Sequence, residues 1–243
     1  MCAKLIRLLL MSKIKEYNFF LIFGLNNIKF EVLNSKNEII FTKNDIIFDS
    51  KNNDIYKIVE NFLKKNIFEI EKTLNHYVKN IFLVIDYYNF LTVNLSMKYN
   101  FNRMKFDQNR LNSSLIELKN QFQNSIGDFK IIHMIINKFL IDSKEYSNLS
   151  EQIIYNNLCL EIRFICMNRN IIQNLKNILS KYQIQVNDII CLEYLKEFEN
   201  FSDRKISIIA QNALNGSNEN EIFFRQKSTK IPSFFEKFFN FFR

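Results

Sequence analysis

The stretch Phe19-Phe20-Leu21-Ile22-Phe23-Gly24-Leu25-Asn26-Asn27-Ile28-Lys29-Phe30-Glu31-Val32-Leu33-Asn34-Ser35-Lys36-Asn37-Glu38-Ile39-Ile40-Phe41 decides the fold class. Phe19–Phe23 is a continuous apolar run of buried-strand length. Gly24–Asn27 and Asn34–Asn37 are turn clusters on either side of Ile28–Leu33. The pattern predicts a meander of three short antiparallel strands. From Asn53 to about Asn75 the apolar period changes: Ile55, Ile58, Val59, Phe62, Leu63 and Ile67 follow the helical template. Asn53 or Asp54 suits the N-cap.

Downstream, Ile81–Ile85 and Leu91–Tyr99 read as strands. Asp107 suits the cap of a helix carrying Leu111, Leu115, Leu118 and Phe122 and ending by Gly127. Phe129–Ile141 is strand-like, with a break expected near Ile136-Asn137. Tyr146–Asn157 is polar and loop-like. Leu158–Met167 is a strand, Ile171, Ile172, Leu175, Ile178 and Leu179 mark a helix, and Val186–Leu192 is another strand. Alternating strands and helices predict a mixed α/β layer architecture with one small module inserted in another. Phe198–Thr229 is polar overall, carries one apolar stretch at Ile206–Leu214, and reads as a linker with a helical turn or two.

The chain has 243 residues and is 47% hydrophobic, enough for a core, which excludes wholesale disorder. No apolar run reaches the ~18–20 residues of a membrane-spanning helix. The opening Met1–Leu10 is too short and too charged for a secretory signal, and Met11 is an alternative start. The net charge of +8 suits nucleic acid or an anionic membrane, but the 33 cations are scattered among 25 acids. The four cysteines, Cys2, Cys159, Cys166 and Cys191, show no paired spacing, which points to a reducing compartment. Cys159 and Cys166 should face opposite sides of their strand.

The last residues carry the sharpest chemical pattern. Lys230-Ile231-Pro232-Ser233-Phe234-Phe235-Glu236-Lys237-Phe238-Phe239-Asn240-Phe241-Phe242-Arg243 suits a helix opened by Pro232 and Ser233. At roughly 100° per residue, Phe234, Phe235, Phe238, Phe239, Phe241 and Phe242 share an arc of about 160°. Ser233, Glu236, Lys237, Asn240 and Arg243 fill the other side. Such a helix spans only ~16 Å, too short to cross a bilayer, and can lie in a membrane interface with Lys227, Lys230, Lys237 and Arg243 near lipid phosphates. A docked tail on the protein's own core, or one in a partner's groove, satisfies the same pattern.

Catalytic patterns are not legible. His76 ends a helix, and His133 sits in a strand, where a satisfied core histidine is the ordinary occupant. No nucleophile–histidine–carboxylate pattern, HExxH, Walker lysine or GxGxxG occurs. Asp86 follows a strand end without an evident carboxylate or basic partner. The expectation is a protein that is not an enzyme, with no catalytic, cofactor or metal residues.

Ile132-His133-Met134-Ile135-Ile136-Asn137-Lys138-Phe139-Leu140-Ile141-Asp142 resembles the hydrophobic-His-Val-Ile-Pro-Gln-x-Phe-hydrophobic-hydrophobic-Asp segment of FtsA, an actin-like bacterial cell-division protein family. His133, Phe139 and Asp142 match. Leu160–Ile165, Asn174-Leu175-Lys176 and Val186–Glu193 resemble later family segments in the same order. The resemblance covers roughly residues 17–196 plus the tail. It implies a partial actin-like (ribonuclease H-like) subdomain at 17–82 and 158–196, an inserted SHS2 module (subdomain 1C) at 83–157, a linker at 197–230, and an amphipathic membrane-targeting helix at 231–243.

The family's first phosphate loop, Asp-x-Gly-Ser-Ser-Lys, is matched here by Ile22-Phe23-Gly24-Leu25-Asn26-Asn27, which keeps the glycine and loses the acid and the lysine. The second loop has no counterpart. The resemblance therefore implies a peripheral adaptor at the cytoplasmic face of the bacterial inner membrane, at the division site, without bound nucleotide. Its partners would be an anionic membrane surface, other division proteins (FtsZ only by resemblance) and copies of itself. A soluble scaffold with a docked tail is the alternative. A basic nucleic-acid binder is the less favoured class, since Phe82, Tyr87, Phe90 and Tyr99 lack interleaved cations.

Overall fold

The computed structural model describes residues 17–24, 26–47, 55–86, 90–100, 108–146, 156–203 and 205–223. The elements are β1 (Asn18–Phe23), β2 (Asn27–Leu33), β3 (Ile39–Ile46), α1 (Ile55–Leu74), β4 (Asn80–Ile85), β5 (Leu91–Asn100), α2 (Gln108–Ser125), β6 (Phe129–Ile141), β7 (Lys144–Tyr146), β8 (Asn157–Asn168), α3 (Arg169–Ser180), β9 (Gln185–Cys191), α4 (Leu192–Lys196) and α5 (Ile206–Leu214).

They form two sheets, ordered β3-β2-β1-β4-β9 and β5-β8-β6-β7. In the first, β1, β4 and β9 run parallel while β2 and β3 form the antiparallel meander. The fold is mixed α/β. Central β1 is buried along Phe19–Phe23 because both of its faces are covered. Phe19, Leu21 and Phe23 pack with Val59, Phe62 and Leu63 of α1 and Leu175 of α3. Phe20 and Ile22 pack with Leu195 of α4 and Ile209, Ala210 and Ala213 of α5. Edge strand β3 alternates half-buried and exposed residues, as one-sided cover requires.

The second sheet packs Leu160, Ile162 and Phe164 against Leu111, Leu115 and Phe122 of α2. α2 stops at Ser125, and Gly127 follows with φ of 42°, a left-handed geometry that glycine adopts without a Cβ penalty. Strand β6 runs unbroken through Ile136-Asn137, but the pairing with β8 shifts register there and again between Ile131 and His133. These bulges set how the strand faces, because an extra residue reverses which face the following side chains take. Ile131 and Met134 both join the α2 core, while His133 lies beside Ile165 and turns toward the first sheet.

Two expected boundaries differ from the structure. β8 pairs with β5 and β6, so residues 158–168 belong to the second sheet, and the return to the first begins with α3 at Arg169. A strand of alternating apolar residues fits either sheet, and only pairing decides. Within the expected linker, Ile206–Leu214 form α5, whose Ile206, Ile209, Ala210 and Ala213 are buried against the first sheet. Among the described residues, no helix is long and apolar enough to cross a membrane.

Candidate functional site

In open α/β sheets, ligands sit beyond the carboxyl ends of the parallel strands. Here those ends are Phe23-Gly24, Ile85-Asp86 and Cys191-Leu192. The Gly24 N–H donates to the Asn27 carbonyl at 2.9 Å, which closes the β1–β2 turn on itself. A Cβ on Gly24 would meet Asn27 Oδ1 at 2.7 Å. The Asp86 N–H donates to the Phe23 carbonyl at 2.8 Å.

Asp86, without an evident carboxylate or basic partner in the sequence, has both in the structure. Short helix α4, which directly follows β9, brings Lys196 Nζ to 3.9 Å from Asp86 Oδ2 and pairs Lys196 with Glu193. Asp86 is 15% exposed. Burial pushes its carboxyl above the usual carboxylate range; Lys196 opposes the rise and the nearby Glu193 carboxyl adds to it. The Lys196 ammonium is held above its ordinary value by its hydrogen bond to Glu193. At this strand-end edge Asp86, Glu193 and Lys196 contact one another. Among the described residues, no group of histidine, cysteine, aspartate and glutamate is arranged to hold a metal ion.

The second arrangement lies between the two sheets. His133 Nδ1 is 2.8 Å from Glu221 Oε1, and His133 Nε2 accepts the Cys191 N–H at 3.1 Å. With a backbone donor at Nε2, the imidazole carries its proton at Nδ1 and donates it to Glu221. Glu221 Oε2 accepts the Tyr194 hydroxyl at 2.7 Å, and that hydroxyl accepts from Asn218 Nδ2 at 2.9 Å. His133, Tyr194 and Glu221 are all buried. Burial and the Glu221 carboxylate drive the Tyr194 phenol far above its ordinary range, so it stays a donor.

The backbone follows the side chains. Glu221 bridges antiparallel to Ile135, the Ile136 N–H donates to the Asn220 carbonyl at 2.9 Å, and the Ile222 N–H donates to the Met134 carbonyl at 2.8 Å. A strap at Asn218–Ile222 thus joins the edge of β6 while its glutamate reaches the β9–α4 junction. Arg163 of β8 adds a two-pronged pair to Glu197, with Nη1–Oε1 at 2.7 Å. His133 is the satisfied core histidine that its strand position suggested. His76 is exposed and lies against the rings of Tyr17 and Phe19.

Burial pushes the Cys166 thiol up to about 12 and raises that of Cys191, which leaves both as poor nucleophiles. Sequence reasoning missed Glu193, Tyr194, Lys196 and Glu221 as partners. Glu221 stands in a polar stretch and carries no periodic signal. The sequence-derived membrane residues Lys230, Phe234, Phe235, Lys237, Phe238, Phe239, Phe241, Phe242 and Arg243 lie outside the described residues, as do the candidate caps Asn53, Asp54 and Asp107.

No protein-family model matches the chain, and no curated protein matches it. Solved structures do. The cytoplasmic domain of EpsL, an inner membrane component of the type II secretion system of Vibrio cholerae, is similar with a TM-score of 0.38 at 8% identity, over 74% of this chain and 59% of that one. The PilM-PilN type IV pilus biogenesis complex is similar with a TM-score of 0.42 at 6% identity, over 76% and 49%. A Bacteroides thetaiotaomicron protein with an actin-like ATPase fold and unknown function is similar with a TM-score of 0.33 at 11% identity, over 76% and 55%. The chain spans between 49% and 59% of the length of these structures.

Proposed function

We propose that this chain is a non-enzymatic adaptor of the FtsA type. It sits peripherally on the cytoplasmic face of the bacterial inner membrane at the division site. The tail at 231–243 holds lipid, and the second sheet with α2 is offered to other division proteins or to further copies. The observation that carries this reading is the strap. Asn218–Ile222 locks the chain leading into the tail onto both sheets at once, so load on the tail reaches the whole scaffold.

The strand-end edge supports an adaptor without nucleotide. The Gly24 N–H that would face a phosphate is spent on Asn27, and Asp86 is engaged by Lys196. Six phenylalanines on one helical face supply useful burial, since a fully buried ring contributes ~1.5–3 kcal/mol and an immersed one less. Ordering the backbone costs ~1–2 kcal/mol per residue. A single tail therefore binds reversibly, and several copies bind together.

The test is a fluorescent fusion of the full chain in dividing bacterial cells. The native chain should mark the cell periphery and concentrate at the septum. The Phe238→Glu, Phe239→Glu variant should be diffuse. Diffuse signal from both, or septal signal from both, contradicts the reading.

A further inference from the structure

Helix α1 covers one face of the first sheet and presents an unusual outer face. At about 100° per residue, Lys57, Asn61, Lys64, Phe68 and Lys72 fall within an arc of about 80°. All five are exposed, and the arc lies opposite the buried Val59 and Ile70. Phe68 stands at the middle of the arc and is 75% exposed, although a phenylalanine is among the residues most often found inside. Lysines lie one helical turn before and after it, at Lys64 and Lys72.

The acids of α1 make their contacts with groups other than these lysines. Glu60 receives Lys181 Nζ at 2.7 Å, Glu69 receives Lys43 Nζ at 2.8 Å, and Glu71 accepts the Val78 N–H at 2.9 Å. Lys65, at the margin of the arc, is turned to Asp45. Among the described residues, Lys57, Lys64 and Lys72 enter no ion pair. Lys64 and Lys72 flank the projecting ring one turn to either side, and Lys57 continues the same face about 16 Å nearer the helix start, a row of ammonium groups that complements a surface of phosphates above an apolar layer. Lysine stems reach such phosphates while an aromatic ring enters the interfacial zone.

We propose that the Lys57–Lys64–Phe68–Lys72 face of α1 is a contact for an anionic lipid surface. This rests on the reading of a membrane-attached scaffold, but it uses residues separate from the tail. A second weak contact on the same scaffold multiplies the first, because the tail holds α1 at high local concentration near the bilayer.

The chain contains no tryptophan, so Phe68→Trp in the full chain creates a sole indole reporter at this site. Vesicles of equimolar phosphatidylglycerol and phosphatidylcholine are the probe. Emission from position 68 should move to shorter wavelength on binding and be quenched by lipids brominated on their acyl chains. Adding Lys57→Glu, Lys64→Glu and Lys72→Glu should abolish the shift and weaken binding on the order of tenfold or more. Each changed residue is exposed, so unchanged circular dichroism and melting of these variants is expected. Protein that pellets with vesicles while position 68 keeps its aqueous emission overturns this contact and leaves the tail reading standing. That result would assign the α1 face to an acidic protein partner or to solvent. A shift that survives Phe238→Glu, Phe239→Glu with vesicle affinity unchanged supports the contact and removes the tail reading. Full chain that binds no vesicles removes both.

Discussion

His133 and Glu221, 88 positions apart in the chain, meet with Nδ1 and Oε1 at 2.8 Å in a buried space between the two sheets. The pair fastens the strap to β6, and through Cys191 and Tyr194 it fastens both to the β9–α4 junction. Its role is structural: every described polar atom of the imidazole and carboxylate has a partner, and none faces solvent as a base would need.

The first prediction follows from leaving such groups alone. His133→Ala strands the Cys191 N–H and a Glu221 oxygen in a dry site, and should cost about 2–4 kcal/mol of stability. Tyr194→Phe removes one hydroxyl and should cost about 1–2 kcal/mol. Because both act through Glu221, the double variant should lose less than the sum. Urea titrations measure all three, and additive losses would show that the cluster does not act as a unit.

Asp86 gives a prediction with a defined sign. Its carboxyl is raised in the folded chain, chiefly by burial, so between the unfolded and folded values the folded state binds more proton than the unfolded state. Folding stability contributed by this group therefore falls as pH rises from about 3.8 through the folded value, and is recovered on acidification. Asp86→Asn, which stays uncharged, should gain stability relative to the native chain near neutral pH. That advantage should shrink as pH approaches 4. Melting curves across this range measure it, and an advantage that grows on acidification would contradict the assignment.

The closed Gly24 turn and the occupied Asp86 make the strand-end edge a poor phosphate seat. Magnesium ATP in large excess should leave the melting temperature unchanged, since only a ligand of the folded state raises it. Gly24→Ala should cost no more than about 1 kcal/mol. Gly24 is not held at a positive φ, and the nearest obstacle is the movable end of Asn27. A rise in melting temperature with ATP that Gly24→Ala abolishes would restore a nucleotide site.

The meander and α1 were legible because their burial is local and periodic. Phe19–Phe23 is buried on both sides of a central strand, and the i, i+4, i+7, i+8 residues Ile55, Val59, Phe62 and Leu63 are the buried side of α1. The break expected at Ile136-Asn137 is a bulge: the irregularity was visible, but its consequence for the facing of His133 depends on the pairing with β8. Helix α5 was visible as the apolar stretch Ile206–Leu214, yet its polar flanks concealed that it covers a sheet. Glu221 and Lys196 could not be found from sequence. Each is a charged residue in a charged or polar stretch, and its meaning comes from a partner brought close by topology.

The central claim is that the terminal phenylalanine face attaches this scaffold to lipid. Co-sedimentation with equimolar phosphatidylglycerol–phosphatidylcholine vesicles tests it most directly, comparing the full chain with its Phe238→Glu, Phe239→Glu variant. The native chain should pellet and the variant should remain largely in the supernatant; equal pelleting of the two would contradict the claim.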